Sequence, residues 1–251
     1  MTYDTPGLFY KEAGHGPVVV LLHGGGVDHT YWKRQFNWLG SQYRVIAVDS
    51  RGHGRSPDSD EPFGYRSFAR SAAGLVRQLG VETATFVGHS DGGCVSIAIA
   101  LQDPDLVARL VLLGTPWNID NYRPGVSKMM ANLGPDDMFG LLGDNFDKAL
   151  RANRSNHVDD ESWARYMRKL VDMWARQPDF TADEIRTIDV PTLVLHSNNE
   201  IMYGIEVAKE FAALLPHAEL VVIPDSGHDA AQDNPDAVNA ALNAFLRPQH
   251  L

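Results

Sequence analysis

The stretch Val87-Gly88-His89-Ser90-Asp91-Gly92-Gly93-Cys94 restricts what this chain can fold into more than any other. A β-rich run, Ala84-Thr85-Phe86-Val87, leads in, and a small-residue run from Cys94 to Leu101 leads out. Between them, Gly88-x-Ser90-x-Gly92 is the pattern that sets a serine on a sharp strand-to-helix turn. The serine must take strained backbone angles, so the residues two before and two after must be small enough for strand and helix to close. The strain leaves Oγ exposed and the next N–H groups free at a helix N-terminus, where they can bind an anion.

Other runs supply a sheet for this turn. Val18 to Leu22 is five apolar residues in a row, read as a strand buried on both faces of a parallel sheet. Arg44-Val45-Ile46-Ala47-Val48-Asp49, Leu110 to Gly114, Pro191 to His196 and Leu220 to Ile223 read as further strands, and Gly7 to Glu12 as a short edge strand. Helical spacing recurs around Tyr31 to Leu39, at Phe68, Ala72, Leu75, Val76 and Leu79, from Glu206 to Leu215, and from Val238 to Leu246.

The strand–helix alternation breaks from Trp117 to Ile188. That span carries Trp117, Met129, Met130, Met138, Phe139, Trp163, Tyr166, Met167, Met173 and Trp174. A long excursion without strands suggests a helical lid over the sheet. The expected division is a core of residues 1–116 and 189–251 with a lid at 117–188. Trp117, Met130, Phe139 and part of the 163–174 stripe are expected to line an apolar substrate pocket.

A serine alone is a poor nucleophile. A base must take its proton, and a third group must orient that base. His228, in Pro224-Asp225-Ser226-Gly227-His228-Asp229, follows the last strand, and Gly227 lets that loop turn back. The acid has two candidates. Glu200, in Ser197-Asn198-Asn199-Glu200, has the right register after strand 191–196. Asp120, just past strand 110–114, is the competitor. The run His23-Gly24-Gly25-Gly26 allows close backbone approach to a ligand, and the N–H groups of Gly25 and Asp91 are the expected oxyanion donors. The Asp91 carboxylate reads as free beside the reacting carbonyl: either a helix-capping charge or a partner for a cationic substrate group. His53 reads as a structural loop residue, and His217 and His250 as surface residues. No spacing of His23, His53 and His89 matches a metal site, so no metal is expected.

Composition narrows the partners. A formal net charge of -10 argues against nucleic acid and anionic membranes, and leaves a small molecule as the expected partner. The single cysteine, Cys94, excludes an internal disulfide and suits a reducing compartment such as the cytoplasm. The start, Met1 to Pro6, shows no signal-peptide pattern, and no apolar run approaches the ~18 residues of a membrane span. Oligomeric state is not legible.

The motifs His23-Gly24-Gly25-Gly26, Asp49-Ser50-Arg51-Gly52-His53-Gly54-Arg55-Ser56, Gly88-His89-Ser90-Asp91-Gly92-Gly93 and Gly227-His228 together resemble the α/β-hydrolase superfamily. The resemblance implies an α/β fold with a mostly parallel eight-stranded sheet flanked by helices, a lid after the sixth strand, and no cofactor. Ser90-Asp91-Gly92-Gly93, with Arg168 to Trp174, looks similar to the valacyclovir-hydrolase-like branch, which carries Trp where His89 stands and Asp where Glu200 stands. The expected activity is serine hydrolysis of a small carboxylic ester, lactone or activated amide through an acyl-enzyme. A carbon–carbon bond hydrolase or lyase on the same triad, or a slow-turnover ligand receptor, remains open because fold and triad do not fix the reaction.

Overall fold

A computed structural model describes residues 7–247, so the stretch Met1 to Pro6 and His250 lie outside the described residues. Seven strands form one sheet: β1 (Tyr10–Ala13), β2 (Val18–Leu22), β3 (Arg44–Val48), β4 (Ala84–His89), β5 (Val107–Leu113), β6 (Thr192–Ser197) and β7 (Ala218–Ile223). Their order across the sheet is β1-β3-β2-β4-β5-β6-β7. Only β1 runs antiparallel, against β3; the other pairs are parallel.

The strands are the seven runs read from the sequence. The eighth, implied by the resemblance alone, is absent among the described residues. β1 ends the sheet instead, and its Lys11 and Glu12 are exposed. A charged edge of this kind discourages further pairing. The central strands β4 and β6 are buried at every position, which is why their apolar runs do not alternate.

Ten α-helices accompany the sheet among the described residues. They are α1 (Lys33–Leu39), α2 (Tyr65–Gln78), α3 (Asp91–Gln102), α4 (Val126–Met130), α5 (Asp144–Arg154), α6 (Asp160–Trp174), α7 (Ala182–Arg186), α8 (Ile205–Leu214), α9 (Ala230–Asp233) and α10 (Pro235–Leu246). α3 is buried from Asp91 through Ala100, in keeping with a helix that is small and apolar on all sides. Helices α4 to α7 fill the excursion between β5 and β6, so the excursion follows the fifth strand present rather than a sixth.

The order of strands positions the site. β2 leads to β3 on one side, and β4 then lies on the other side of β2. Ligands of open α/β sheets bind in the crevice outside the C-terminal ends of the strands at such a reversal. Gly25 follows β2, Ser90 follows β4, Glu200 follows β6 and His228 follows β7, all at those ends.

Candidate active site

Ser90 takes φ 50°, ψ -116°, the left-handed region that a non-glycine residue rarely adopts. Its neighbours hold it there. The Ser90 N–H donates to Leu113 O at 2.9 Å, and the Ser90 carbonyl accepts from Gly93 and Cys94 N–H at 2.9 and 3.1 Å. The glycines are required by space: a Cβ at Gly88 would strike the Gly92 carbonyl, and one at Gly92 would strike the Leu22 carbonyl. Stored strain of this kind exposes the side chain, as the sequence pattern implies.

Three side chains from three loops meet here. His228 Nε2 lies 3.0 Å from Ser90 Oγ. His228 Nδ1 lies 2.8 Å from Glu200 Oε2. The other carboxylate oxygen of Glu200 accepts from Met202 N–H at 2.9 Å, which fixes the carboxylate plane. Glu200 is buried while carrying these bonds. Asp120 is not part of this group. It is exposed, and its N–H is capped by Asn118 Oδ1 at 3.0 Å in a short 3₁₀ turn.

The electrostatics match the geometry. Burial alone would lower the His228 pKa, but the charge and hydrogen bond of Glu200 more than offset it, and the value rises to about 9. Burial would raise Glu200, but the imidazolium and its hydrogen bond bring it below the ordinary value. Only neutral His228 can take a proton from Ser90. Its neutral fraction grows as pH rises toward about 9, so kcat/KM for an ester should climb from pH 6 and level off near that value. Glu200→Gln removes the raising charge and should move the rising limb to lower pH. A pH profile of both proteins checks this; a limb that stays in place would contradict it.

The other histidines near the turn hold loops. His23 Nε2 accepts from Ser50 N–H at 3.0 Å, so its Nδ1–H donates to Gly24 O at 2.7 Å. His53 Nδ1 faces Arg51 O at 3.1 Å, and Phe63, Phe68 and Tyr166 enclose the ring. His89 stacks on Tyr31 at 4.5 Å, and its Nε2 faces the His228 carbonyl at 2.9 Å, tying the turn to the loop that carries the base. Exposed His217 pairs with Asp189 at 3.0 Å, in keeping with a surface residue. Among the described residues, Asp28, His29 and Asp49 have the spacing to hold a metal ion. Their atoms serve a hydrogen-bonded loop: Asp49 accepts from His29 N–H, His29 Nδ1 and Arg55 N–H at 2.7, 2.8 and 2.9 Å, and Asp28 accepts from Thr30 N–H at 2.9 Å.

The Asp91 carboxylate is not free, which corrects the sequence reading. It is buried and accepts from Tyr65 O–H at 2.8 Å and from Trp174 Nε1–H at 2.9 and 3.1 Å. One donor comes from α2 and the other from the last turn of α6, so the carboxylate joins the core to the helical excursion. Neither donor was identifiable from sequence spacing, because both are remote from Asp91 in the chain. Burial raises the Asp91 pKa to about 6, with Trp174 and Tyr65 opposing the rise. These two neutral donors stabilise the buried carboxylate without cancelling its charge, and no substrate cation is needed to hold it there. Gly25 lies against the same group: a Cβ there would strike both Asp91 Oδ2 and the Trp174 ring.

A cleft of about 640 Å³, counted to its open mouth, lies over Ser90. Gly24, Gly25, His89, Ser90, Asp91 and His228 line its floor. Met129, Met130, Leu133, Met138, Leu141, Leu142, Phe146, Trp174, Ile201 and Met202 complete the lining. Met130 is therefore where the sequence reading expects it. Trp117 and Phe139 are not among the lining residues. Trp117 stacks on Phe211 at 6.4 Å, and the Arg151 guanidinium covers Phe139 at 4.6 Å. Of the 163–174 stripe only Trp174 lines the cleft; Trp163 packs on Tyr166 and His157. The leucines and Phe146 carry no separate signal, since single apolar residues in turns or on a helix read as ordinary core.

The chain is similar to known proteins over nearly its whole length. A non-heme haloperoxidase from Rhodococcus erythropolis is 31% identical over 274 residues, spanning 97% of each chain. A 2-hydroxy-6-oxo-6-(2'-aminophenyl)hexa-2,4-dienoic acid hydrolase from Metapseudomonas resinovorans is 28% identical over 254 residues, spanning 95% of this chain and 87% of that one. The structure of a thermophilic esterase from Thermogutta terrifontis superposes with a TM-score of 0.79 at 28% identity, covering 97% of this chain and 95% of that one. Residues 17–235 match the α/β hydrolase fold family, and that segment runs from the start of β2 past the base on its loop. With a strained serine at the end of the central strand and a histidine and a carboxylate following it in chain order, this chain is an enzyme of the α/β hydrolase family.

Proposed function

We propose that this enzyme hydrolyses neutral carboxylic esters or lactones, and activated amides more slowly, through an acyl-enzyme on Ser90. The observation that carries the reading is the continuous chain Glu200–His228–Ser90, at 2.8 and 3.0 Å, opening onto an apolar cleft. Ser90 Oγ attacks the carbonyl carbon while His228 Nε2 takes its proton. Glu200 holds the Nδ1–H tautomer and stabilises the imidazolium. The N–H groups of Gly25 and Asp91 receive the oxyanion; one such donor contributes about 3 kcal/mol of transition-state stabilisation. His228 returns the proton to the departing alcohol. Water then attacks the acyl-enzyme with His228 again as base, releasing the acid and restoring Ser90.

The excursion between β5 and β6 acts as the lid in this reading, since its helices α4 to α6 and the turns between α4 and α5 supply most of the apolar wall. Carbon–carbon bond cleavage draws less support. The dienoic acid hydrolase relative is named for an acid substrate, whereas no Lys or Arg lines this cleft to meet a substrate carboxylate.

An acyl-length series tests the proposal. Burying one methylene is worth about 0.8 kcal/mol, or roughly fourfold in kcat/KM. Met129, Leu141 and Ile201 are 41%, 39% and 52% exposed and form an apolar rim, so the gain should continue as the chain leaves the floor of the cleft. From 4-nitrophenyl acetate to the hexanoate, kcat/KM is expected to rise at least tenfold, with Ser90→Ala as the blank. A flat series would contradict the apolar acyl site, and turnover surviving in Ser90→Ala would contradict the mechanism.

A further inference from the structure

We propose that Asp91 sets the charge selectivity of the cleft, so that the enzyme rejects esters carrying an anionic group near the scissile carbonyl. This deepens the ester-hydrolase reading and rests on it.

Asp91 lines the cleft with Ser90, and its Oδ2 lies against Gly25, an expected oxyanion donor. The carboxylate is held in place by Tyr65 and Trp174, both neutral donors, so its charge is oriented but not cancelled. No Lys or Arg lines the cleft among the described residues. The Arg123 guanidinium is instead engaged with the Glu200 carbonyl at 3.3 Å. His228 carries a positive charge only in the protonated form, and Glu200 balances it. Once His228 is neutral, the working state, Glu200 adds a second negative charge. Buried Asp229, 3.8 Å from His89 Nε2 and raised by burial to about 7, adds to the same sign in mildly alkaline solution. With an Asp91 pKa of about 6, the carboxylate is ionised at the alkaline pH where His228 is active.

The net field over the reacting carbonyl is therefore negative. A substrate anion placed there meets like charge in a partly desolvated cleft, where solvent screens poorly. Like charges ~7 Å apart at an effective dielectric constant near 20 correspond to about a 50-fold loss. The contacts of Asp91 explain how a carboxylate is tolerated beside an oxyanion site at all: its two donors, and its place at the first position of α3, stabilise it there.

The test compares two near-isosteric substrates at pH 8.5: 4-nitrophenyl methyl glutarate, which is neutral, and 4-nitrophenyl hydrogen glutarate, which is anionic at that pH. The wild-type enzyme is expected to favour the neutral ester by about 50-fold in kcat/KM. Asp91→Asn, nearly isosteric, should reduce that ratio to below about fivefold, whatever it does to the absolute rates. Met129→Lys, placed on the exposed part of the lining, supplies a cation by an independent route and should also reduce the ratio several-fold. A wild-type ratio near one overturns the inference, as does a ratio that stays at the wild-type value in the variants that fold. Absence of Ser90-dependent hydrolysis of 4-nitrophenyl acetate would instead overturn the ester-hydrolase reading itself.

Discussion

Ser90→Ala is expected to lower kcat for a 4-nitrophenyl ester by four to six orders of magnitude while leaving the fold intact; loss of a triad nucleophile elsewhere costs on the order of 10⁶. Alanine keeps the Cβ that already sits at φ 50°, and Ser90 Oγ contacts only His228 among the hydrogen bonds at the turn. The melting temperature should therefore change little. The residual rate comes from the oxyanion donors and binding, which the substitution leaves in place. Stopped-flow or steady-state turnover with unfolding monitored in parallel separates chemistry from stability. A variant within tenfold of wild type would mean that another group attacks the carbonyl.

The second large effect concerns the acid. Glu200→Ala should lower kcat by about 10⁴, the size seen when the residue orienting a catalytic histidine is lost. Asp120→Ala should change it less than twofold, within the ordinary range for an exposed substitution. The basis is the 2.8 Å contact from His228 Nδ1 to Glu200 Oε2, against an exposed Asp120 whose N–H caps a local turn. Glu200→Ala also leaves the Met202 N–H and the His228 ring without their acceptor, so some stability is lost with it. Glu200→Gln retains the side-chain volume and is the cleaner comparison. Equal losses in the Glu200 and Asp120 variants would contradict the assignment.

Much of the core was legible because its residues obey short-range rules. β2 and β4 are apolar without alternation, and that pattern belongs to strands covered on both faces. The serine turn is a local steric problem with few solutions, so Gly88, Ser90 and Gly92 declare it directly. Chain order pointed to His228, while register after a strand left Glu200 and Asp120 as alternatives for the acid; the 2.8 Å contact to His228 Nδ1 is made by Glu200.

The cleft was less legible for a physical reason. Its walls are apolar side chains from helices and the turns between them, and local pattern does not distinguish a residue facing a cleft from one facing the core. Trp117 and Phe139 illustrate this: both lie in the aromatic-rich excursion, yet each packs against another side chain away from the cleft lining. Asp91 shows a second limit. Its helix-start position predicts a tolerated charge, but its partners Tyr65 and Trp174 are remote in the chain and meet only through folding. A buried carboxylate needs such donors, and no local pattern names them.

The central claim is that Ser90 becomes covalently acylated because His228 and Glu200 activate it. The most direct measurement is intact-mass spectrometry after treatment with a fluorophosphonate, followed by peptide mapping. The account predicts one adduct per wild-type chain, located on Ser90, none on Ser90→Ala, and slow labelling of His228→Ala. An adduct of equal yield on Ser90→Ala, or one mapped to a residue outside the turn, would contradict it.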